Sequence, residues 1–101
     1  MEKGKPTYDL EALKECARTP DALAMTTSAM LGAAALGYGR DKIVETIQSL
    51  SRKHFYKSMT ANANHRIWQD VYHAPSEAGL IYIKFTAGTI TEFLLLSFKK
   101  K

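Results

Sequence analysis

The chain has 101 residues, 46% hydrophobic and 24% charged, which suits one folded domain and excludes a largely disordered polypeptide. Lys and Arg outnumber Asp and Glu by 14 to 10, a balance that favours a polyanionic partner. No apolar run is longer than Phe93 to Leu96, far too short to span a bilayer. The start, Met1-Glu2-Lys3-Gly4, shows no apolar signal region, and the lone Cys16 excludes an internal disulfide or a Cys-rich zinc site. The expectation is a cytoplasmic protein without membrane contact.

The first elements read as helices. Leu10, Leu13 and Ala17 recur at helical spacing between Asp9 and Arg18, and Pro20 closes the segment. Thr26-Thr27-Ser28 offers N-cap oxygens for a second helix running through Met30, Leu31 and Leu36, with Gly37 as its left-handed terminus. Asp41 is the expected cap of a third helix, whose Ile43, Val44, Ile47 and Leu50 form one apolar stripe. Such short helices need a partner surface.

From Phe55 onward the pattern changes to period two. Phe55–Thr60, Ile67–Tyr72, Leu80–Phe85 and Ile90–Lys99 read as four strands, with turns at Asn62-Ala63-Asn64, at Pro75-Ser76 with Gly79, and at Ala87-Gly88. Short connections predict antiparallel pairing. Helices followed by a run of strands define an α+β class, with N-terminal helices against one face of a sheet formed by the C-terminal half. Ile81, Ile83 and Phe85 belong under the helices, while Leu80, Tyr82 and Lys84 point away. In the last strand Ile90, Leu94, Leu96 and Phe98 form the more apolar set, opposite Thr91, Phe93, Leu95, Ser97 and Lys99. The charge follows this division: residues 1–50 carry six basic and seven acidic side chains, and residues 51–101 carry eight and three. An anion is therefore drawn to the second half.

Two blocks, Phe55-Tyr56-Lys57-Ser58-Met59-Thr60 and Ile67-Trp68-Gln69-Asp70-Val71-Tyr72, with His65 just ahead of the second, resemble the MqsR (motility quorum-sensing regulator) toxin family. Met1-Glu2-Lys3, Thr26-Thr27 with Ala29, Leu36-Gly37, Tyr82-Ile83-Lys84 and Leu96-Ser97-Phe98-Lys99 extend the resemblance almost end to end. It implies a single MqsR-like toxin domain over residues 1–101, with the compact fold of RelE-like toxins. It also implies a ribosome-independent mRNA interferase of a type II toxin–antitoxin system, favouring GCU-type sites in single-stranded mRNA and neutralised by a cognate antitoxin. Direct DNA binding is expected only through the antitoxin complex. The family's cleavage residues correspond to Lys57, Gln69, Tyr82 and Lys99. His65, His73, Lys84 and Lys100 are the expected RNA contacts. This chain departs from the family in having His73 where an Arg is common after the Val-Tyr pair, and in lacking an acidic residue in Lys99-Lys100-Lys101.

RNA contains its own nucleophile, the ribose 2′-hydroxyl. Cleavage needs that oxygen in line with phosphorus, proton movement, and stabilisation of added charge. No metal or other cofactor is required, and widely spaced His54, His65 and His73 without a carboxylate cluster make a two-metal nuclease a poor fit. A lysine would need its pKa lowered by roughly three units to act as a base at neutrality, so the expected role of Lys57 is a charged stabiliser of the pentavalent phosphorane. Tyr82 orients or exchanges a proton, and Gln69 donates an amide hydrogen to phosphate or ribose. Taken singly, these residues have plainer readings: a solvated strand lysine, a cross-strand amide, a tyrosine at the sheet rim. Trp68 and Tyr72 are assigned to packing, Asp70 to anchoring a loop or pairing with a basic neighbour, and Cys16 to the core of the first helix. The competing function is a catalytically weakened module that binds RNA or acts mainly through the antitoxin.

Overall fold

Asp9 accepts a hydrogen bond from the Glu11 amide at 3.1 Å and starts helix α1, Leu10–Cys16. Thr26 does the same for the Ala29 amide and starts α2, Thr27–Ala34. These are the caps the sequence offered, each meeting an amide that the first turn leaves without a helical partner. Gly37, at φ 78°, follows α2 in the left-handed conformation that glycine adopts without a Cβ penalty. Helix α3, Arg40–Gln48, is entered through Gly39 rather than capped by Asp41, which lies in its first turn. There the carboxylate faces the positive end of the helix dipole.

In this computed structural model, which describes residues 1–87 and 93–101, the sheet has six strands rather than four. They are β1 (Glu2–Lys3), β2 (Ala24–Met25), β3 (Phe55–Thr60), β4 (Trp68–Ser76), β5 (Gly79–Thr86) and β6 (Leu94–Lys100), in the order β1-β3-β4-β5-β6-β2. The pairing is antiparallel except between β2 and β6. The two extra strands are two residues each, too short to show an alternation, and they place pieces of the N-terminal half on both edges. Strand β4 runs on through Pro75 and Ser76, so Glu77 and Ala78 make the turn. Ser76 Oγ accepts from the Ala78 amide and donates to the Gly79 carbonyl.

The helices cover one face. Leu13, Ile43, Ile47 and Leu50 meet Tyr72, Ile81, Ile83, Phe85 and Phe98, all shut off from solvent. Full burial of each such aliphatic or aromatic side chain contributes about 1.5–3 kcal/mol. Cys16 packs half-buried against this core. Asp70 anchors a loop: its buried carboxylate accepts from the backbone amides of Thr7, at 3.1 Å to each oxygen, and Tyr8, at 2.9 Å.

Two register shifts decide what faces where. Phe55 pairs with Tyr72 and Lys57 with Val71, so Tyr56 is an extra residue on β3. Lys84 pairs with Ser97 and Phe85 with Leu95, so Leu96 is extra on β6. Strict alternation therefore fails in β6. Phe93, Leu95 and Phe98 enter the core, whereas Leu94 and Leu96 are half-buried. A bulge reverses the phase of every residue beyond it. Among the described residues strand β6 spans Leu94–Lys100. Its expected start at Ile90 lies outside them, as do Gly88 and Thr91.

Candidate active site

The face left uncovered by the helices collects the chemistry. Cross-strand partners share a face, so the ladder Lys57–Val71–Lys84–Ser97 and the ladder His73–Tyr82–Lys99 lie on the same side of the sheet. Gln69, two residues before Val71 and paired with Met59, joins them about 7 Å along β4. All four residues expected to take part in cleavage, Lys57, Gln69, Tyr82 and Lys99, thus occupy one open surface built by four different strands.

Within that surface the aromatic and basic groups form a row. The Lys57 ammonium lies 5.4 Å from the Tyr56 ring centroid. Tyr56 stacks on His73, with centroids 4.3 Å apart and planes at 23°. His73 leads to Tyr82 at 6.0 Å, and the Lys99 ammonium lies 5.4 Å from the Tyr82 ring. Two cations thus flank three rings. The bulge on β3 makes this possible, because it turns Tyr56 outward beside Lys57 instead of letting the two alternate.

The electrostatics assign each group a state. A 2.6 Å hydrogen bond from the Lys57 ammonium to the Glu2 carboxylate raises the lysine above its usual range. The same contact lowers the Glu2 carboxyl. Burial raises the Tyr82 phenol, opposed by the Lys57 charge, so Tyr82 is a neutral hydroxyl at physiological pH. Burial lowers Lys84, and Lys99 lowers it further. His73 is lowered first by burial and then by the Lys101 charge.

The other expected RNA contacts are placed differently. Lys84 and His73 belong to the open face. His65 is exposed in the loop between β3 and β4, apart from the row formed by the described residues. Lys100 pairs with core-facing Ile81 and so falls on the opposite side from Lys99, exposed at the strand end. Tyr72 is wholly buried, and Trp68 is half-buried beneath the Lys3 ammonium, 4.1 Å from its ring. Both are packing residues.

Sequence reasoning missed Tyr56 and Glu2. For Tyr56 a signal existed: three large residues in succession, Phe55-Tyr56-Lys57, break the period of two. No group of His, Cys, Asp and Glu side chains able to hold a metal ion occurs among the described residues. No helix there is long and apolar enough to cross a membrane.

A helix-backed, mainly antiparallel sheet presenting three lysines, a neutral phenol and an amide on its open face is an arrangement suited to binding and stabilising a phosphate ester. The chain belongs to the family described as motility quorum-sensing regulator, toxin of MqsA, whose model matches residues 5–100. It is 40% identical, over 101 residues and the full length of both chains, to the mRNA interferase toxin MqsR of Escherichia coli (strain K12).

Proposed function

We propose that this MqsR-family toxin is an mRNA interferase that cleaves single-stranded mRNA on the open sheet face without a metal ion or a ribosome. The observation carrying this reading is the convergence of Lys57, Gln69, Tyr82 and Lys99 from four strands onto one solvent-facing surface. The ribose 2′-oxygen attacks the adjacent phosphorus, leaving a 2′,3′-cyclic phosphate and a 5′-hydroxyl. Lys57, held as an ammonium by Glu2, stabilises the charge added to the phosphorane. Tyr82 supplies a proton or hydrogen bond to a departing oxygen, and the Gln69 amide holds a phosphate oxygen or the ribose. Lys99 and Lys84 carry the flanking backbone, with His73 inside the row. His65 and Lys100, at opposite margins, contact the strand as it enters and leaves.

The family resemblance extends the reading to GCU-type sites, growth arrest in the cytoplasm and neutralisation by a cognate antitoxin of a type II pair. The experiment is to incubate purified protein with a synthetic mRNA in excess EDTA, map the new ends, and repeat with Lys57→Ala. Chelator-resistant cleavage with cyclic-phosphate ends, lost in the variant, is the expected result. RNA binding without cleavage would identify a regulatory module instead, and cleavage abolished by EDTA would overturn the metal-free mechanism.

A further inference from the structure

Cleavage by the 2′-hydroxyl requires a group that takes its proton, and none of the four cleavage residues is suited to do so at neutral pH. Lys57 is an ammonium committed to Glu2. Glu2, lowered by the same contact, is a weak base. Tyr82 is a protonated phenol. Lys84 starts from 10.5 and would have to fall by about three units to work as a base at pH 7; Lys99 is a lysine too. Gln69 does not titrate.

We propose that His73 is the general base of the cleavage reaction, its imidazole accepting the proton of the attacking ribose 2′-hydroxyl. This rests on the open-face site proposed above. Three geometric facts carry it. Register places His73 directly beside Tyr82 and on the face of Lys57. Stacking on Tyr56 at 4.3 Å fixes the ring plane while leaving the ring edge, where both nitrogens lie, outside the stack. Neither nitrogen is hydrogen-bonded to another described residue, so one is free to accept. The surroundings favour the basic form: β3 presents Tyr56 and Lys57, β5 presents Tyr82 and Lys84, and the end of β6 brings Lys99 and Lys101. Among the described residues no carboxylate acts on the ring to hold it protonated, and Glu2 is engaged with Lys57.

The step balances. The 2′-O–H bond breaks and its proton goes to an imidazole nitrogen. The freed electron pair forms the O2′–P bond, while the P–O5′ bond breaks and the 5′-oxygen departs with the electrons of the P–O5′ bond, taking the phenolic proton of Tyr82. The imidazolium then returns a proton through solvent to the phenolate, which restores both groups. Imidazole suits this role because its ordinary pKa lies close to the working pH.

The test is single-turnover cleavage of a short synthetic RNA at saturating protein between pH 5 and 9. Wild type, His73→Gln and Lys57→Ala are compared, with affinity measured on a 2′-deoxy oligonucleotide that cannot react. Wild type is expected to show a rate that rises with pH and levels off, with its limb on the acid side of neutrality. His73→Gln should lose that limb and about 10²–10⁴ in rate, with affinity for the unreactive strand changed less than threefold. Added imidazole should restore part of the rate to His73→Ala, a rescue that a merely structural role would not show. A limb that persists in His73→Gln, or a rate within a few-fold of wild type, overturns the assignment. So does a wild-type profile that is flat throughout, whatever the variants do. Lys57→Ala separates the two ideas: if it too cleaves normally, the site itself is misplaced, whereas an inactive Lys57→Ala beside an active His73→Gln removes only the base.

Discussion

The Glu2 carboxylate meets the Lys57 ammonium at 2.6 Å, across the pairing of β1 with β3. The first strand of the chain thereby carries an acidic side chain to the cation assigned to the phosphorane. An arriving phosphate competes with that carboxylate. Glu2→Gln keeps the size and a hydrogen-bonding oxygen but removes the charge, so RNA binding should tighten a few-fold, the scale of a surface ion pair. The salt dependence should steepen by about 0.7 in log–log slope, the contribution of one further neutralised phosphate on a single strand. Titration of a 2′-deoxy oligonucleotide at several salt concentrations measures both; unchanged affinity and slope would show that phosphate does not reach Lys57.

Lys57→Ala and Tyr82→Phe should each lower the cleavage rate by about 10²–10³, the usual cost of removing one well-aimed donor from developing negative charge. The pH dependence of the loss is diagnostic for Lys57. Its pKa is raised by Glu2, so it stays an ammonium across the working range and the deficit of Lys57→Ala should be the same at pH 6 and pH 9. Single-turnover rates at the two values check this, and a deficit that vanishes at one of them would contradict a charge-stabilising role.

Most of the fold was legible because the relevant signals are local. Caps at Asp9 and Thr26, the left-handed Gly37, the α3 stripe and the alternation of Ile81, Ile83 and Phe85 all follow from neighbouring residues. What escaped is non-local. Strands β1 and β2 are two residues long and exist only because β3 and β6 offer edges to pair with. The bulge at Leu96 depends on register with β5, and it sends Leu95 rather than Leu96 into the core. The site followed the same division. Lys57, Gln69, Tyr82 and Lys99 could be named from the family resemblance, whereas Tyr56 and Glu2 join them through a bulge and an edge pairing that no short segment encodes.

Asp70 exemplifies a polar residue whose burial is matched by its donors. Its carboxylate receives the Thr7 and Tyr8 amides while shut off from solvent, holding the segment between β1 and α1 against β4. Asp70→Ala leaves those two amides without their acceptor and should destabilise the fold by about 3 kcal/mol. Asp70→Asn, which retains one acceptor oxygen, should cost less. Urea unfolding followed by circular dichroism gives both values, and equal stability of Asp70→Ala and wild type would mean that water replaces the carboxylate freely.

At Gly32, α2 comes close against β6. A Cβ there would overlap the Phe98 carbonyl oxygen and lie 3.2 Å from the Lys99 Cβ, so helix and strand would have to separate. Gly32→Ala should cost about 1–3 kcal/mol, the usual penalty of overpacking, despite alanine's better helix propensity. Gly4→Ala, where a Cβ meets nothing within 4 Å, is the control. Thermal melts of the pair distinguish a steric cause from a general effect of losing glycine.

His54 links stability to pH. Its Nδ1 accepts the Ser51 amide at 3.0 Å, a bond that requires this nitrogen unprotonated, and burial followed by the Lys53 and Lys14 charges lowers its pKa from 6.5. The unfolded chain therefore takes up the proton first as pH falls. The contribution is fully present above about 6.5 and is lost as pH drops from there toward the lower folded value. His73, lowered in the same direction, adds to the trend. Melting temperature should fall between pH 7.5 and pH 5, and the fall should be shallower in His54→Asn, whose side-chain oxygen can accept the Ser51 amide without titrating. Parallel curves for the two proteins would place the pH sensitivity elsewhere.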